Sequence, residues 1–275
     1  MKRFFYYLTI FVVCVSLFSA CKEEIPDSEP EPESGPLRIV HWADPQLGWL
    51  YQATYEQEIV RLKRAVELIN ELSPDVVLLA GDMVHHPDND DLINAFLKII
   101  APIKAPIIMA PGNHDICHPI TTETLKRYRS FFGDDFQTME LKDFTVISAN
   151  SSLWYPEGAA PEEILLHDDR LKAALQNAQR KEQPIVMMTH ISPLFDIPKS
   201  YQYLAVEYGA FLWLSGHWHC SYRYDYEDIT ILIAESTSAN DTGFPLGVRL
   251  LTIYPDKSFD WDLVPLYPGT THKHP

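Results

Sequence analysis

Positive charge is scarce in this 275-residue chain. Lysine and arginine together number 22 against 38 aspartates and glutamates, for a net charge of −16. A basic surface that tracks nucleic-acid phosphates is therefore not expected. An anionic substrate is repelled at long range, so an anion site has to carry its own positive charge, most simply as metal ions. Cysteine is also scarce: four in the whole chain, too few for a disulfide scaffold. No internal repeat is present. The one long apolar run, Phe4 to Phe18, is short for a lasting membrane span. What is plentiful is core material, with 46% hydrophobic and 12% aromatic residues, enough for one large folded domain.

The first twenty residues read as a secretory signal: Lys2 and Arg3, the apolar run, then Ser19-Ala20 before Cys21. Leu17-Phe18-Ser19-Ala20-Cys21 resembles the lipobox of bacterial lipoproteins, with Phe18 in place of the usual leucine. That resemblance implies cleavage before Cys21 and its lipidation. The chain is then expected in the bacterial cell envelope, lipid-anchored in the outer membrane. The acidic residues after Cys21 also resemble a surface-export signal, which would place the protein on the cell surface. Residues 21–36 are acidic and proline-rich, with Ile25 as the only large apolar side chain. Such a stretch cannot bury enough surface to order itself, and reads as a tether. The folded domain is expected over 37–268, with a polar tail over 269–275.

From Leu37 onward strand and helix patterns alternate. Leu37 to Ala43, Val76 to Ala80, Pro106 to Ala110, Phe144 to Ala149, Ile185 to Thr189 and Phe211 to Ser215 read as buried strands. Helical spacing of Ile59, Leu62, Val66, Ile69 and Leu72 predicts a helix that Pro74 stops, with Thr54 as cap and Gln57 closing a capping box. Further helices are predicted over Leu92 to Ile100 and His167 to Arg180. After Cys220 the texture is strand only: Ile229 to Ala234, Val248 to Tyr254 and Phe259 to Pro265. One α/β domain accounts for this order.

Polar residues that can ligate metal recur where these strands end. Asp44 follows the first strand, Gly81-Asp82 the second, Gly112-Asn113-His114-Asp115 the third. His190 follows Ile185 to Thr189, and Gly216-His217-Trp218-His219 follows Phe211 to Ser215. Carboxyl ends of strands line the crevice of an open α/β sheet, so these loops should converge. Carboxylates, imidazoles and an amide in one crevice suit a divalent cation. Each fragment alone is usually a turn or a solvated loop; five in order at strand ends are not readily coincidental.

This series resembles the calcineurin-like metallophosphoesterase superfamily, whose pattern is Asp-x-His, Gly-Asp, Gly-Asn-His-(Asp/Glu), a lone His and Gly-His-x-His. Four elements stand intact; Asp44-Pro45-Gln46 has Gln where the superfamily usually has His. Ala43-Asp44-Pro45-Gln46-Leu47-Gly48, Glu56-Gln57-Glu58-Ile59, Gly133-Asp134-Asp135 and His85 resemble a subgroup, the calcineurin-like phosphoesterase domain-containing proteins. Gln46 then reads as a subgroup feature. The resemblance implies two mixed β-sheets packed as a sandwich with helices outside. Gly81-Asp82-Met83-Val84-His85-His86-Pro87 lacks the Asp and Arg of the phosphoprotein phosphatases proper, so their Asp-supported acid is not implied.

The resemblance further implies two divalent metal ions, manganese, iron, zinc or magnesium, bridged by Asp82. Asp44, His219 and the Gln46 amide oxygen would hold one; Asn113, His190 and His217 the other. A bridging hydroxide would attack phosphorus, with His114 as acid toward the leaving oxygen. His85 would partner His114, and Asp115 would turn its loop or orient a neighbour. The expected activity is hydrolysis of phosphate esters by a monomeric enzyme, as phosphatase or phosphodiesterase. A non-catalytic cell-surface binding lipoprotein on the same scaffold is the alternative. His41 reads as a packed histidine, Trp49 and Trp218 as cleft walls, and Asn150 as either a crevice or a turn residue. Cys117 and Cys220 follow metal motifs and read as free thiols rather than a bridge.

Overall fold

The computed structural model describes residues 35–50, 55–155, 159–194, 196–238 and 243–267. The signal-like segment, Cys21, Thr54 and the C-terminal tail lie outside the described residues.

Two mixed sheets form the centre. The first holds β1 (Leu37–Trp42), β2 (Val76–Ala80), β3 (Ile107–Ala110), β10 (Gly247–Ile253) and β11 (Phe259–Pro265) in the order β11-β10-β1-β2-β3. The second holds β4 (Gln137–Leu141), β5 (Phe144–Ser148), β6 (Ile185–Met188), β7 (Ala210–Ser215), β8 (Tyr222–Tyr226) and β9 (Ile229–Ile233) in the order β4-β5-β6-β7-β9-β8. β1, β2 and β3 are mutually parallel, as are β5, β6, β7 and β9. Their carboxyl ends therefore gather at one side of each sheet.

Alternation along the strands builds the sandwich. Leu37, Ile39, Val76 and Leu78 of the first sheet share one core with Val146, Val186, Met188, Leu212 and Leu214 of the second. The intervening residues Val40, Trp42, Val77 and Leu79 turn outward and pack in the helix-side core. A strand buried on both faces is apolar at most positions, which is why these segments read as near-continuous hydrophobic runs. Each fully buried Val, Leu or Ile contributes roughly 1.5–3 kcal/mol.

The helices are α1 (Glu56–Leu72), α2 (Asp90–Ile100), α3 (Thr122–Phe132), α4 (Pro161–Arg180) and α5 (Lys199–Glu207). α1 buries Leu62, Ala65, Val66 and Ile69, and ends at a left-handed Ser73 just before Pro74. Its start corrects the expected capping box: Tyr55 is the N-cap, with no side-chain cap hydrogen bond. Glu58 turns inward instead, accepting from the backbone N–H groups of Gly48 and Leu50 at 3.1 Å each. α3, α5, β4 and β8 are absent from the sequence reading. α3 buries only Leu125, Tyr128 and Phe132, and β8 is an edge strand with four of its five residues exposed. Polar edges carry too weak an apolar period to announce themselves. No helix among the described residues is long and apolar enough to cross a membrane.

Candidate metal centre

The loops after β1, β2, β3, β6 and β7 meet. Asp44 and Asp82 are buried, and with His190 they bring one ligand atom each to within 4.8 Å of one another. The local backbone is costly: Asp44, Gln46, Asp82, His217 and His219 have φ of 49°, 38°, 51°, 71° and 50°. Left-handed backbone costs an L-residue roughly 1–2 kcal/mol. Such strain persists where tertiary contacts over-determine it.

Those contacts run from loop to loop. Asp44 and Gln46 donate their N–H groups to the carbonyls of Gly81 and Asp82, at 3.2 and 2.7 Å, laying the first motif along the second. The Asp44 carboxylate accepts the backbone N–H of His217 at 3.0 and 3.2 Å. The Asp82 carboxylate accepts the backbone N–H of His114 at 2.9 Å. Asp115 accepts from Gly112 and Met83 at 2.8 Å and Val84 at 3.2 Å, strapping the second motif to the third. Burial and the nearby Asp82 charge push the Asp115 carboxyl up, opposed by the backbone N–H groups. Gly81 has φ of 81°, and a Cβ there would lie 2.6 Å from the His190 ring. Glycine at that turn allows the imidazole to lie against the backbone.

His190 shows what the site is built to hold. Its Nδ1 lies 2.8 Å from the carbonyl of Ala80, which can only accept, so Nδ1 carries a proton. Nε2 faces Asp82 Oδ2 at 3.3 Å, Asn113 Oδ1 at 3.1 Å and His217 Nδ1 at 3.3 Å. Oxygen and nitrogen lone pairs converging on one point require positive charge between them. The electrostatics agree. Burial alone would pull the His190 imidazole down, but the Asp82 and Asp44 carboxylates overcome it and push it to about 10. Burial would raise Asp82, and His190 outweighs it and lowers the carboxyl. His217 is pulled down by burial and then by His190, which keeps it available as a neutral ligand. On the other side of Asp44, His219 Nε2 lies 3.4 Å from Oδ1. The donor set of two carboxylates, an amide oxygen and three imidazoles fits divalent cations.

Gln46 enters differently from the expected coordination through oxygen. Its Nε2 donates to Asp82 Oδ2 at 3.2 Å. Its Oε1 is buried with no hydrogen-bond partner among the described residues. A half-turn of the terminal amide exchanges the two atoms, and a cation offers the orphaned oxygen a partner.

His114 and His85 stack with centroids 4.4 Å apart and planes 30° apart. His85 therefore supports His114 through its ring face. Burial, then the neighbouring His114 and His86, pull His85 down to about 4, so it is neutral near pH 7. Trp49 stands edge-on to His85, His114 and His219, at centroid distances of 4.9, 6.3 and 5.6 Å, and walls this side. Trp218 is partly exposed and donates its indole N–H to Asp196 at 2.8 Å. Asn150 takes the turn role: its side chain bonds Asp135 and the Ser152 N–H. Cys117 and Cys220 are free thiols. The run Glu235 to Ser238, which reaches the back of the Asp44 turn, escapes sequence reasoning. Its signal is a block of hydroxyl residues directly after an apolar strand.

Residues 37–221 match the family profile of calcineurin-like phosphoesterases. Serine/threonine-protein phosphatase CPPED1 of Bos taurus is 26% identical over 265 residues, covering 84% of this chain and 84% of the relative. The Homo sapiens protein of that name is 25% identical over 266 residues, again covering 84% of each. Among solved structures, a dimetal phosphatase from Danio rerio superposes with a TM-score of 0.59 at 12% identity, covering 81% of this chain and 94% of its own. The purple acid phosphatase PPD1 of yellow lupin gives 0.62 at 14% identity, over 85% of this chain and 52% of its own. These two structural likenesses show a shared fold.

Proposed function

Because this chain belongs to the calcineurin-like phosphoesterase family and is a phosphoric ester hydrolase, we propose that it cleaves phosphomonoesters at a dinuclear metal centre. The relatives named serine/threonine-protein phosphatases support monoesters, and by its Asp-Pro-Gln first motif the chain would belong to the calcineurin-like phosphoesterase domain-containing subgroup. Asp82 would help hold both cations, with Asp44, His219 and a rotated Gln46 amide completing one ligand set. Asn113, His190 and His217 would complete the other. When bound, such a pair of cations neutralises phosphoryl oxygens and lowers the pKa of water toward neutrality.

The protein's own residues then do the rest. His190 presents Nε2 inward because its Nδ1 proton is held by Ala80 O. Asp115 keeps the Gly112 loop against the Asp82 loop, so Asn113 and Asp82 stay in register. His114 holds a proton for the departing alkoxide, its ring steadied by His85 and Trp49.

The observation that carries this reading is the convergence of Asp82, Asn113 and His217 lone pairs on His190 Nε2. Asp82→Asn with elemental analysis and hydrolysis of an aryl phosphate tests it. Metal and activity should be lost together while the circular dichroism spectrum persists. Full activity with two bound metals would refute the assignment.

The domain would span 37–268 as a monomer, followed by a polar tail. Residues 1–20 would be removed as a lipoprotein signal, Cys21 would carry lipid, and residues 21–36 would tether the domain to the outer membrane.

A further inference from the structure

The Asp44-Pro45-Gln46 turn has only five backbone hydrogen-bonding groups, because proline lacks an N–H. The N–H groups of Asp44 and Gln46 go to Gly81 and Asp82, and the Gln46 carbonyl accepts from Trp49 N–H at 3.1 Å. The carbonyls of Asp44 and Pro45 remain, on residues that are both buried. A buried carbonyl left without a donor loses the hydrogen bond it had to water.

Two serines nearly two hundred residues away supply those donors. Ser236 Oγ donates to the Asp44 carbonyl at 2.8 Å, and Ser238 Oγ donates to the Pro45 carbonyl. Ser236 Oγ also accepts the Ser238 N–H at 3.0 Å, which aims its own proton at Asp44. Between them, Thr237 Oγ1 accepts the Trp42 indole N–H at 2.9 Å. The segment replaces β10 as the neighbour of β1: β10 pairs through His41, and an isolated bridge then joins Ala43 to Ser236. Its root is a buried ion pair. Glu235 accepts from Arg249 Nη2 at 3.2 and 3.3 Å, and the same nitrogen donates to the Ile233 carbonyl at 2.8 Å.

We propose that Ser236 and Ser238 are positioning residues for the metal centre, an inference that rests on the dinuclear reading above. Their hydroxyls hold the carbonyls of a turn whose Asp44 and Gln46 are left-handed. Without them the two carbonyls can be satisfied only if the turn relaxes toward water. That relaxation carries the Asp44 carboxylate away from the His217 N–H and from His219. The half of the centre built on Asp44 and His219 depends most on the clamp; in the half built on Asn113, His190 and His217, His190 has its own support through Ala80, and His217 meets Asp44 only through its backbone N–H.

Manganese and zinc titrations against a competing chelator, on the full chain, test this in wild type, Ser236→Ala, Ser238→Ala and the double variant. Loss of a supporting partner typically weakens metal binding about 10–100-fold. That loss is expected for one of the two metals in each single variant, with the other metal weakened less, and Ser238→Thr should bind as wild type does. If Ser236→Ala does not yield folded protein, Ser238→Ala alone decides, since it acts on a different carbonyl. Two metals bound at wild-type affinity in the double variant would overturn the clamp and leave the dinuclear reading standing. Equal weakening of both metals would also overturn it. A wild-type chain that binds no divalent metal would overturn the dinuclear reading itself, and the clamp with it.

Discussion

Gly112 and Asp82 approach so closely that a Cβ on Gly112 would lie 2.1 Å from Oδ1 of Asp82 and 2.4 Å from its backbone nitrogen. The glycine of the third motif is thus a requirement of the second motif's carboxylate. Gly112→Ala must push Asp82 off its position, and overpacking of this kind costs roughly 1–3 kcal/mol. Metal content and melting temperature should both fall. Gly35→Ala, where nothing lies within 4 Å of the added Cβ, is the matched control and should change neither.

His114→Ala should keep both metals, because only its backbone N–H reaches Asp82. Loss of a general acid lowers the rate by about 10²–10⁴-fold. Aryl phosphates, whose leaving groups need little protonation, should lose least, so alkyl and aryl substrates are to be compared side by side. Equal losses on both would assign His114 to holding a phosphoryl oxygen.

Gln46→His places an imidazole where an amide now donates to Asp82. Imidazole suits zinc and iron, so their affinity should rise relative to manganese. The substitution leaves the charge unchanged while the new histidine is neutral. Metal titration followed in parallel with activity is the measurement; an unchanged preference would remove Gln46 from the ligand set.

His167 predicts how stability responds to acid. Its Nε2 accepts the Asn150 N–H at 2.9 Å, and burial pulls the imidazole down to about 4. The unfolded chain takes up that proton near pH 6.5. Stability from neutral His167 is therefore complete above about pH 6.5 and is lost as the pH falls toward about 4. Denaturation midpoints of His167→Gln should fall less steeply than wild type across that window. Parallel curves would show that His167 does not carry the effect.

Cys21→Ala should move the protein from the membrane fraction to the soluble fraction, since stable anchoring requires attached acyl chains. Fractionation of cells expressing each form reads this directly, and equal membrane retention of the variant would exclude the lipid anchor.

The candidate ligands were legible in the linear chain because each motif is a short polar run after an apolar strand. Asp44, Asp82, Asn113, His190, His217 and His219 stand at positions where a parallel sheet must deliver its loops to one crevice. The central strands were legible because burial on both faces leaves few polar positions in them. The edge strands β4 and β8 and the marginally apolar α3 and α5 were not, since half-exposed elements share their composition with loops.

Only the tertiary structure decided that the Gln46 amide meets Asp82, that His85 meets His114 face to face, and that Ser236 and Ser238 close the Asp44 turn. Local pattern reports which residues a strand or helix can bury. It holds no record of a hydrogen bond between positions 44 and 236, which exists only because the end of β1 and the segment after β9 come to lie side by side.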